Sequence, residues 1–340
     1  MTANTKFYLG IDVSKPWFDV SLLPVTDHHK QNMITERFDN TVAGMKLFKK
    51  WLATHQVTFN ENSLLVIENT GVYHRLIWSF FSKHNLQLHI GNAAHIKWSL
   101  GITRGKSDAI DSKRLCQYCC KQADELKATP RLNPVFMKLK DLMTARSRLV
   151  AQLHSTKNYI KEIQCTQDKT LLLMLDKAHK TAIEGIKKSI VQIEALIRKI
   201  IVEDKAIFTN YKLIITVPGI GHLTAVYIIC CTNNFAGNIS GKQLASYAGV
   251  VPFEYSSGIS IKGKNRVHKM ANKDLKKLLH LCALTAIKYY PEFKQYFDRK
   301  KAEGKNGMLV LNAIRNKLVL RVVAVVNKQE AYVDNTKTAA

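Results

Sequence analysis

Ile183, Ile186, Ile190, Ile193, Ile197 and Ile200 recur every three or four residues with no polar interruption. Upstream, Leu139, Leu142, Arg146, Leu149, Leu153, Thr156, Ile160 and Ile163 keep the same step. A stripe of this kind cannot stay in water, and its spacing is the heptad seam of a coiled coil. A break near Asp168 separates the two runs. Two antiparallel helices within residues 131–205 therefore form an arm. It is either an intramolecular hairpin or a device that pairs two chains, and the pattern alone does not choose.

Upstream of Thr129-Pro130-Arg131-Leu132-Asn133-Pro134, which reads as a linker, residues 1–130 alternate between strands and helices. Strands are expected over 7–13, 17–23 and 34–38. Met45, Phe48 and Leu52 mark a helix. Leu64-Leu65-Val66-Ile67 suits a buried central strand. A helix over 73–83, a strand over 86–90 and a helix over 108–125 follow. Three strands and then alternating helices and strands is the order of an RNase H-like α/β sheet. A doubly wound sheet shares the alternation, but no Gly-x-Gly-x-x-Gly follows the first strand, so dinucleotide binding has no support.

Residues 206–330 form a mainly helical third region. Val217-Pro218-Gly219-Ile220-Gly221 has the form of a helix-hairpin-helix turn, in which Gly219 and Gly221 let backbone amides approach a phosphate; the alternative is an ordinary glycine-rich connection between helices. Between Ile261 and Lys277 stand Lys262, Lys264, Arg266, Lys269, Lys273, Lys276 and Lys277 against one acid, Asp274. A solvated helix face mixes its charges, so this run favours a surface that contacts phosphates. Residues 331–340 read as a polar tail.

Lys plus Arg number 51 and Asp plus Glu 26, a net charge of +25. That surplus points to a polyanion, nucleic acid first. A membrane surface is the rival. No apolar run reaches the ~18–20 residues of a spanning helix; the best, Leu318 to Val326, is broken by Arg321. The first residues carry no apolar signal core, so secretion is not expected. The seven cysteines read as reduced core residues. Cys116-x-x-Cys119 lacks the second pair that a zinc site needs.

Four acids stand out by position. Asp12 ends the first strand and Glu68 the buried one. Asp108 and Asp111 share a face at the start of a helix. In an RNase H-like sheet those strands are neighbours, and a helix packed at that edge brings the four together. Such a cluster repels itself unless a divalent cation is bound, and hard oxygen ligands suit Mg²⁺ or Mn²⁺; two metals ~4 Å apart serve phosphodiester chemistry. Asp108 and Asp111 have a plainer reading as helix N-terminal acids. Asp19, by alternation, is expected to face solvent.

The segments Gly10-Ile11-Asp12-Val13-Ser14-Lys15, Glu68-Asn69-Thr70-Gly71 and Lys106-Ser107-Asp108-Ala109-Ile110-Asp111 resemble the DEDD insertion-sequence transposases, a group that includes the Piv-type DNA invertases. A second block is similar to the family's C-terminal domain: Val217-Pro218-Gly219-Ile220-Gly221, Leu244-Ala245-Ser246-Tyr247-Ala248-Gly249-Val250-Val251-Pro252 and Tyr255-Ser256-Ser257-Gly258, leading into a basic helix. The resemblance implies a RuvC-like N-terminal domain whose metal-binding tetrad is Asp12, Glu68, Asp108 and Asp111, and a C-terminal catalytic serine, Ser257. It also implies donor and target double-stranded DNA as partners, a structured non-coding guide RNA, and a prokaryotic, cytoplasmic, nucleoid-associated setting. Many relatives have Gly or Lys after the position of Gly258, where this chain has Ile259-Ser260-Ile261. The next base is displaced to Lys262, and Ser256 stays a contender.

Three functions follow: a transposase or site-specific recombinase; a RuvC-type structure-selective nuclease, which hydrolyses with water and needs no serine; and a non-catalytic binder, in which the acids are dispensable. Recombination cuts and rejoins several strands, so a dimer is expected, with two dimers meeting on two DNAs.

Overall fold

The computed structural model describes residues 5–84, 86–101, 108–253, 256–257, 261–263, 266–267 and 270–333. The chain divides between Asn133 and Pro134 into two compact units. In the first, β1 (Thr5–Val13), β2 (Trp17–Thr26), β3 (His29–Lys30), β4 (Ile34–Asp39), β5 (Ser63–Glu68) and β6 (Gln87–Gly91) build one mixed sheet. β1 is antiparallel to β2, which pairs on its far side with β3 and β4. On its other edge β1 runs parallel to β5, and β5 to β6. The helices are α1 (Val42–Thr54), α2 (Arg75–Phe81), α3 (Ala93–Leu100) and α4 (Asp108–Lys121).

Alternation sorts the side chains of β1 between two faces. Leu9, Ile11 and Val13 enter a core with Phe18, Phe48 and Ile77. On the opposite face Leu64 and Val66 of β5 meet Ile96 of α3 and Leu115, Tyr118 and Cys119 of α4. α4 lies directly against the sheet. A Cβ on Gly10 would fall 2.1 Å from the Cys116 amide nitrogen and 2.4 Å from the Ser112 carbonyl oxygen, so no side chain fits there. The small residues of α4 complete the seat. Ser112 Oγ is hydrogen-bonded to Ser21 Oγ at 2.9 Å, and the thiols of Cys116 and Cys119 donate to the carbonyls of Tyr8 and Leu64, both at 3.2 Å.

Covering both faces overturns one expectation. Asp19 is not solvent-facing: it is 3% exposed. Alternation places it on the opposite face from Phe18, and α4 closes that face. The short strand β3 and the helix α3 were also not expected. α3 starts where the Asn92 side chain accepts from the amides of Ala94 and His95.

The second unit contains α5 (Pro134–Ile163), α6 (Lys169–Glu203), α7 (Lys205–Ile214), α8 (His222–Thr232), α9 (Gly241–Tyr247), β7 (Ser256–Ser257), β8 (Ile261–Lys262), α10 (Lys273–Tyr289), α11 (Pro291–Ala302) and α12 (Gly307–Lys328). α5 and α6 pack along each other, and Asp168 caps α6 by accepting from the Leu171 amide at 2.9 Å. Along this arm Leu153, Ile160, Ile163, Ile183, Ile186 and Ile190 are only half-buried. At its base Leu139, Ile197 and Ile201 are buried in the core built by α7 to α12. Arm and C-terminal helices thus form one unit, because they share that core. Leu318–Val326 belongs to α12, a core helix, and among the described residues no helix is long and apolar enough to cross a membrane. All seven cysteines are unpaired. Cys165 departs from the core reading: it is exposed in the turn between α5 and α6.

Gly10→Ala should cost about 1–3 kcal/mol by overpacking, measured by urea unfolding of the full chain. Ala at Gly71, where a Cβ meets nothing within 4 Å but φ is +75°, tests backbone strain alone and should cost about 1 kcal/mol.

Candidate active site

The register of the sheet assembles the acids. Ile11 of β1 pairs with Ile67 of β5, so Asp12 and Glu68 follow at adjacent ends of parallel strands. Asp12 also stands opposite Asp19 across the β1–β2 ladder. Asp12 shares the α4 face with Gly10, Glu68 with Leu64 and Val66, and Asp19 with Ser21. Asp108 and Asp111 lie in the first turn of α4, Asp108 one turn before Ser112 and Asp111 next to it. The close seat of α4 on Gly10 brings that turn to the same end of the sheet.

Electrostatics report the convergence. Burial first, and then the charges of Asp108, Asp111, Glu68 and Asp19, raise the pKa of Asp12 to about 6. Two arginines answer the acids. Arg37 Nε and Nη2 donate to Asp19 Oδ1 and Oδ2 at 3.1 and 2.9 Å, and Nη2 lies 3.5 Å from Asp108 Oδ2. Its guanidinium rests on the Trp17 ring, 4.7 Å from the centroid, and Trp17 Nε1 donates to the same Asp108 oxygen at 3.3 Å. Arg114 Nη1 donates to Asp111 Oδ1 at 2.9 Å. Asn40 ties the loops around the acids, its Nδ2 donating to the carbonyls of Ser14 and Tyr73, both at 3.0 Å.

Among the described residues five carboxylates therefore gather near two guanidiniums, and the donor set is all hard oxygen. By charge and chemistry it fits a divalent cation. Among the described residues no three His, Cys, Asp or Glu side chains form a ready metal cage; Asp108 and Asp111 are held instead by Arg37, Trp17 and Arg114. Asp19, Arg37 and Trp17 were not singled out from the sequence as members of this site. The readable signal was the hairpin: closing Val13 on Phe18 sets Asp12 opposite Asp19.

The C-terminal candidates fall as follows. Ser257 lies in β7, paired with Ile261 of β8, and Ser256 pairs with Lys262. Gly258, Lys264 and Lys269 lie outside the described residues. Arg266 is exposed and bridges Phe253 in the backbone ladder. Lys273 is exposed at the first turn of α10. The basic run is therefore a hairpin first and a helix only from Lys273. Gly219 and Gly221 join α7 to α8. Gly219 has φ +76°, and a Cβ there would lie 2.5 Å from the Cys282 carbonyl oxygen, so packing against α10 demands glycine. Gly221 is exposed at the start of α8 with open space around it.

The raised pKa gives a signed prediction. Native Asp12 keeps its proton to higher pH than the unfolded chain, so stability falls as pH rises from about 4 to about 6 and stays lowered above that. Asp12→Asn should equal the parent below about pH 4 and exceed it by about 1 kcal/mol near pH 8, a gain discounted for partial exposure. Urea unfolding at both pH values checks this. Mg²⁺ near pH 8 should narrow the gap by stabilising the parent alone.

Known proteins share these regions. A family profile described as "Transposase" matches residues 9–163, and one described as "Transposase IS116/IS110/IS902 family" matches residues 211–298. The first span holds Asp12, Glu68, Asp108 and Asp111; the second holds Ser257 and α10. The pilin gene-inverting protein of Moraxella lacunata is 28% identical over 333 residues, 96% of this chain and 98% of that protein. The insertion element IS110 uncharacterized 43.6 kDa protein of Streptomyces coelicolor is 33% identical over 90 residues, 26% of this chain and 22% of its own. The transposase for insertion sequence element IS1328 of Yersinia enterocolitica is 31% identical over 126 residues, 34% of this chain and 35% of its own.

Proposed function

We propose that this chain, which belongs to the IS110 family of transposases, cuts and rejoins DNA as the transposase or site-specific recombinase of a mobile element. The observation that carries the reading is the convergence of Asp12, Glu68, Asp108 and Asp111 on one end of the sheet, felt in the raised pKa of Asp12. The likeness to a pilin gene-inverting protein along nearly the whole chain supports rejoining as well as cutting. The strand order, with β1 between antiparallel β2 and parallel β5, supports reading the sheet as RNase H-like.

In this reading the tetrad holds Mg²⁺ or Mn²⁺. A bound cation would supply Lewis-acid polarisation of the scissile phosphate. Arg37 restrains Asp108 from one side, Arg114 restrains Asp111, and Asn40 fixes the loops that follow Asp12 and Glu68. Ser257 is the nucleophile. Its Oγ forms a bond to phosphorus while the bond to the departing sugar oxygen breaks, and the serine proton passes to a base. The phosphoserine ester keeps the phosphodiester for rejoining. The β7–β8 hairpin suits delivery of a hydroxyl to a DNA strand, and Lys262 and Arg266 beside it suit its phosphates.

Residues 134–340 hold 34 Lys and Arg against 15 acids, a net +19. That surplus supports DNA binding, and with it the structured guide RNA implied by the family resemblance. The half-buried arm seam, together with Leu173 at 73% and Val191 at 65% exposure, supports an arm that pairs two chains, and two such dimers on two DNAs.

Three experiments test the reading. Asp12→Asn should abolish strand exchange with the fold intact, and Ser257→Ala should lose the denaturant-resistant protein–DNA adduct that Ser256→Ala keeps. An adduct formed by Ser257→Ala removes Ser257 from the role, and water-cleaved ends without any adduct favour the RuvC-type nuclease. In light scattering the parent should have the mass of a dimer or larger, and the double variant Leu173→Asp, Val191→Asp that of a monomer with unchanged helix content. A monomeric active parent refutes the paired arm.

A further inference from the structure

Arg315 is 5% exposed, in the middle of α12. Among the described residues its one hydrogen-bond partner is neutral: Nη2 lies 2.6 Å from His280 Nδ1. No carboxylate pairs with it among them, and burial lowers its pKa with no acid to offset the effect. Its Nε is buried and bonds to nothing. Since Arg315 can only donate, His280 Nδ1 must accept, which places the imidazole proton on Nε2 and leaves the ring neutral. Lys276 stands one turn before His280 on α10. Burial first, and then the charge of Arg315, lower the pKa of both.

Proteins bury a guanidinium where something compensates its charge. Among the described residues no acid compensates it, Arg315 Nε has no partner, and Lys276 is near enough for the charge of Arg315 to be felt. A set of donors with no acceptor matches an oxyanion. Its place in the fold is specific. Asn312, one turn before Arg315, donates through Nδ2 to the Val250 carbonyl at 2.7 Å. The Lys276 side chain lies 3.8 Å from where a Gly249 Cβ would be. From Val250 the chain runs to Phe253, which bridges Arg266 at the root of the β7–β8 hairpin.

We propose that Arg315, Lys276 and His280 form a seat for one backbone phosphate of the DNA strand being processed, beside the root of the Ser257 hairpin. The inference rests on the DNA-processing reading above and adds to it an anchoring site distinct from the acids and the serine. Anchoring a phosphate there would fix the register of the strand relative to the hairpin.

Full-length Arg315→Gln and Lys276→Gln test it in two assays. Inorganic phosphate, compared with chloride at equal ionic strength, should raise the melting temperature of the parent and not that of Arg315→Gln. Without phosphate Arg315→Gln should melt no lower than the parent, because it loses an uncompensated buried charge; a structural arginine would lower it. In fluorescence anisotropy with duplex DNA, Arg315→Gln should bind about tenfold more weakly, with the slope of log affinity against log salt reduced by about one. Lys276→Gln should shift both readouts in the same direction by less. A phosphate effect that survives Arg315→Gln overturns the site. A phosphate effect lost with unchanged DNA affinity and slope overturns the DNA strand as occupant. If Arg315→Gln does not fold, Lys276→Gln decides by the same criteria. If the parent binds no DNA, the functional reading and the DNA occupant fail together, while the phosphate shift still decides the anion site.

Discussion

The acidic end of the sheet depends on how closely α4 approaches β1. At the Gly10 crossing the helix backbone occupies the space of a side chain. Ser112, Cys116 and Cys119 line the contact because larger residues would lift the helix away. A helix seated this low carries its first turn, with Asp108 and Asp111, level with the ends of β1 and β5. A few tenths of an ångström at Gly10 are passed directly to the separation of Asp12 from the acids of α4, since a close-packed interface transmits displacement. Burial in the same interface keeps the thiols inert: it pushes Cys116 up to about 12 and Cys119 well above its ordinary value. They serve as small hydrogen-bonding spacers.

The second constraint is the charge that this geometry concentrates. The chain is strongly basic, yet it gathers five carboxylates at one point. Asp19 is the most buried of them and is matched by a bidentate arginine, the arrangement that makes a buried carboxylate tolerable. Arg37 does not end there. It is stacked on Trp17 and reaches Asp108, so one cation links a buried structural acid to an acid of the proposed tetrad. Among the described residues no cation pairs with Asp12, which bears the repulsion that its raised pKa expresses.

Local patterns were readable where one residue type at one spacing has one physical solution. The isoleucine steps from Ile183 to Ile200 demanded a helix with one apolar stripe, and the apolar run before Glu68 demanded a covered strand. Asp12 and Glu68 stood out because each ends such a strand. Asp19 was misplaced because alternation says that two faces differ, not which face another element will cover. That depends on α4, almost ninety residues away in the chain. α3 escaped notice because a helix of eight residues offers little periodicity beyond its Asn92 cap. The Gly219 turn reads either as a phosphate approach or as a plain connection between helices, and the tertiary contact with Cys282 that demands glycine there is announced by no local pattern.

Arg37 and Arg315 show why burial and pairing must be read together. Both are arginines that a count of charges treats alike. Arg37 is half-exposed and surrounded by acids, so its charge is compensated within the fold and its effect is to hold Asp19 and Asp108. Arg315 is buried with a neutral imidazole and a lysine as neighbours, so its compensation has to come from outside the described residues. A fold gains nothing in stability from such a residue. An aliphatic side chain of similar volume would pack between α10 and α12 without the desolvation cost. A charge kept at that cost, on the helix that ties down Val250, is better explained by what it binds than by what it supports.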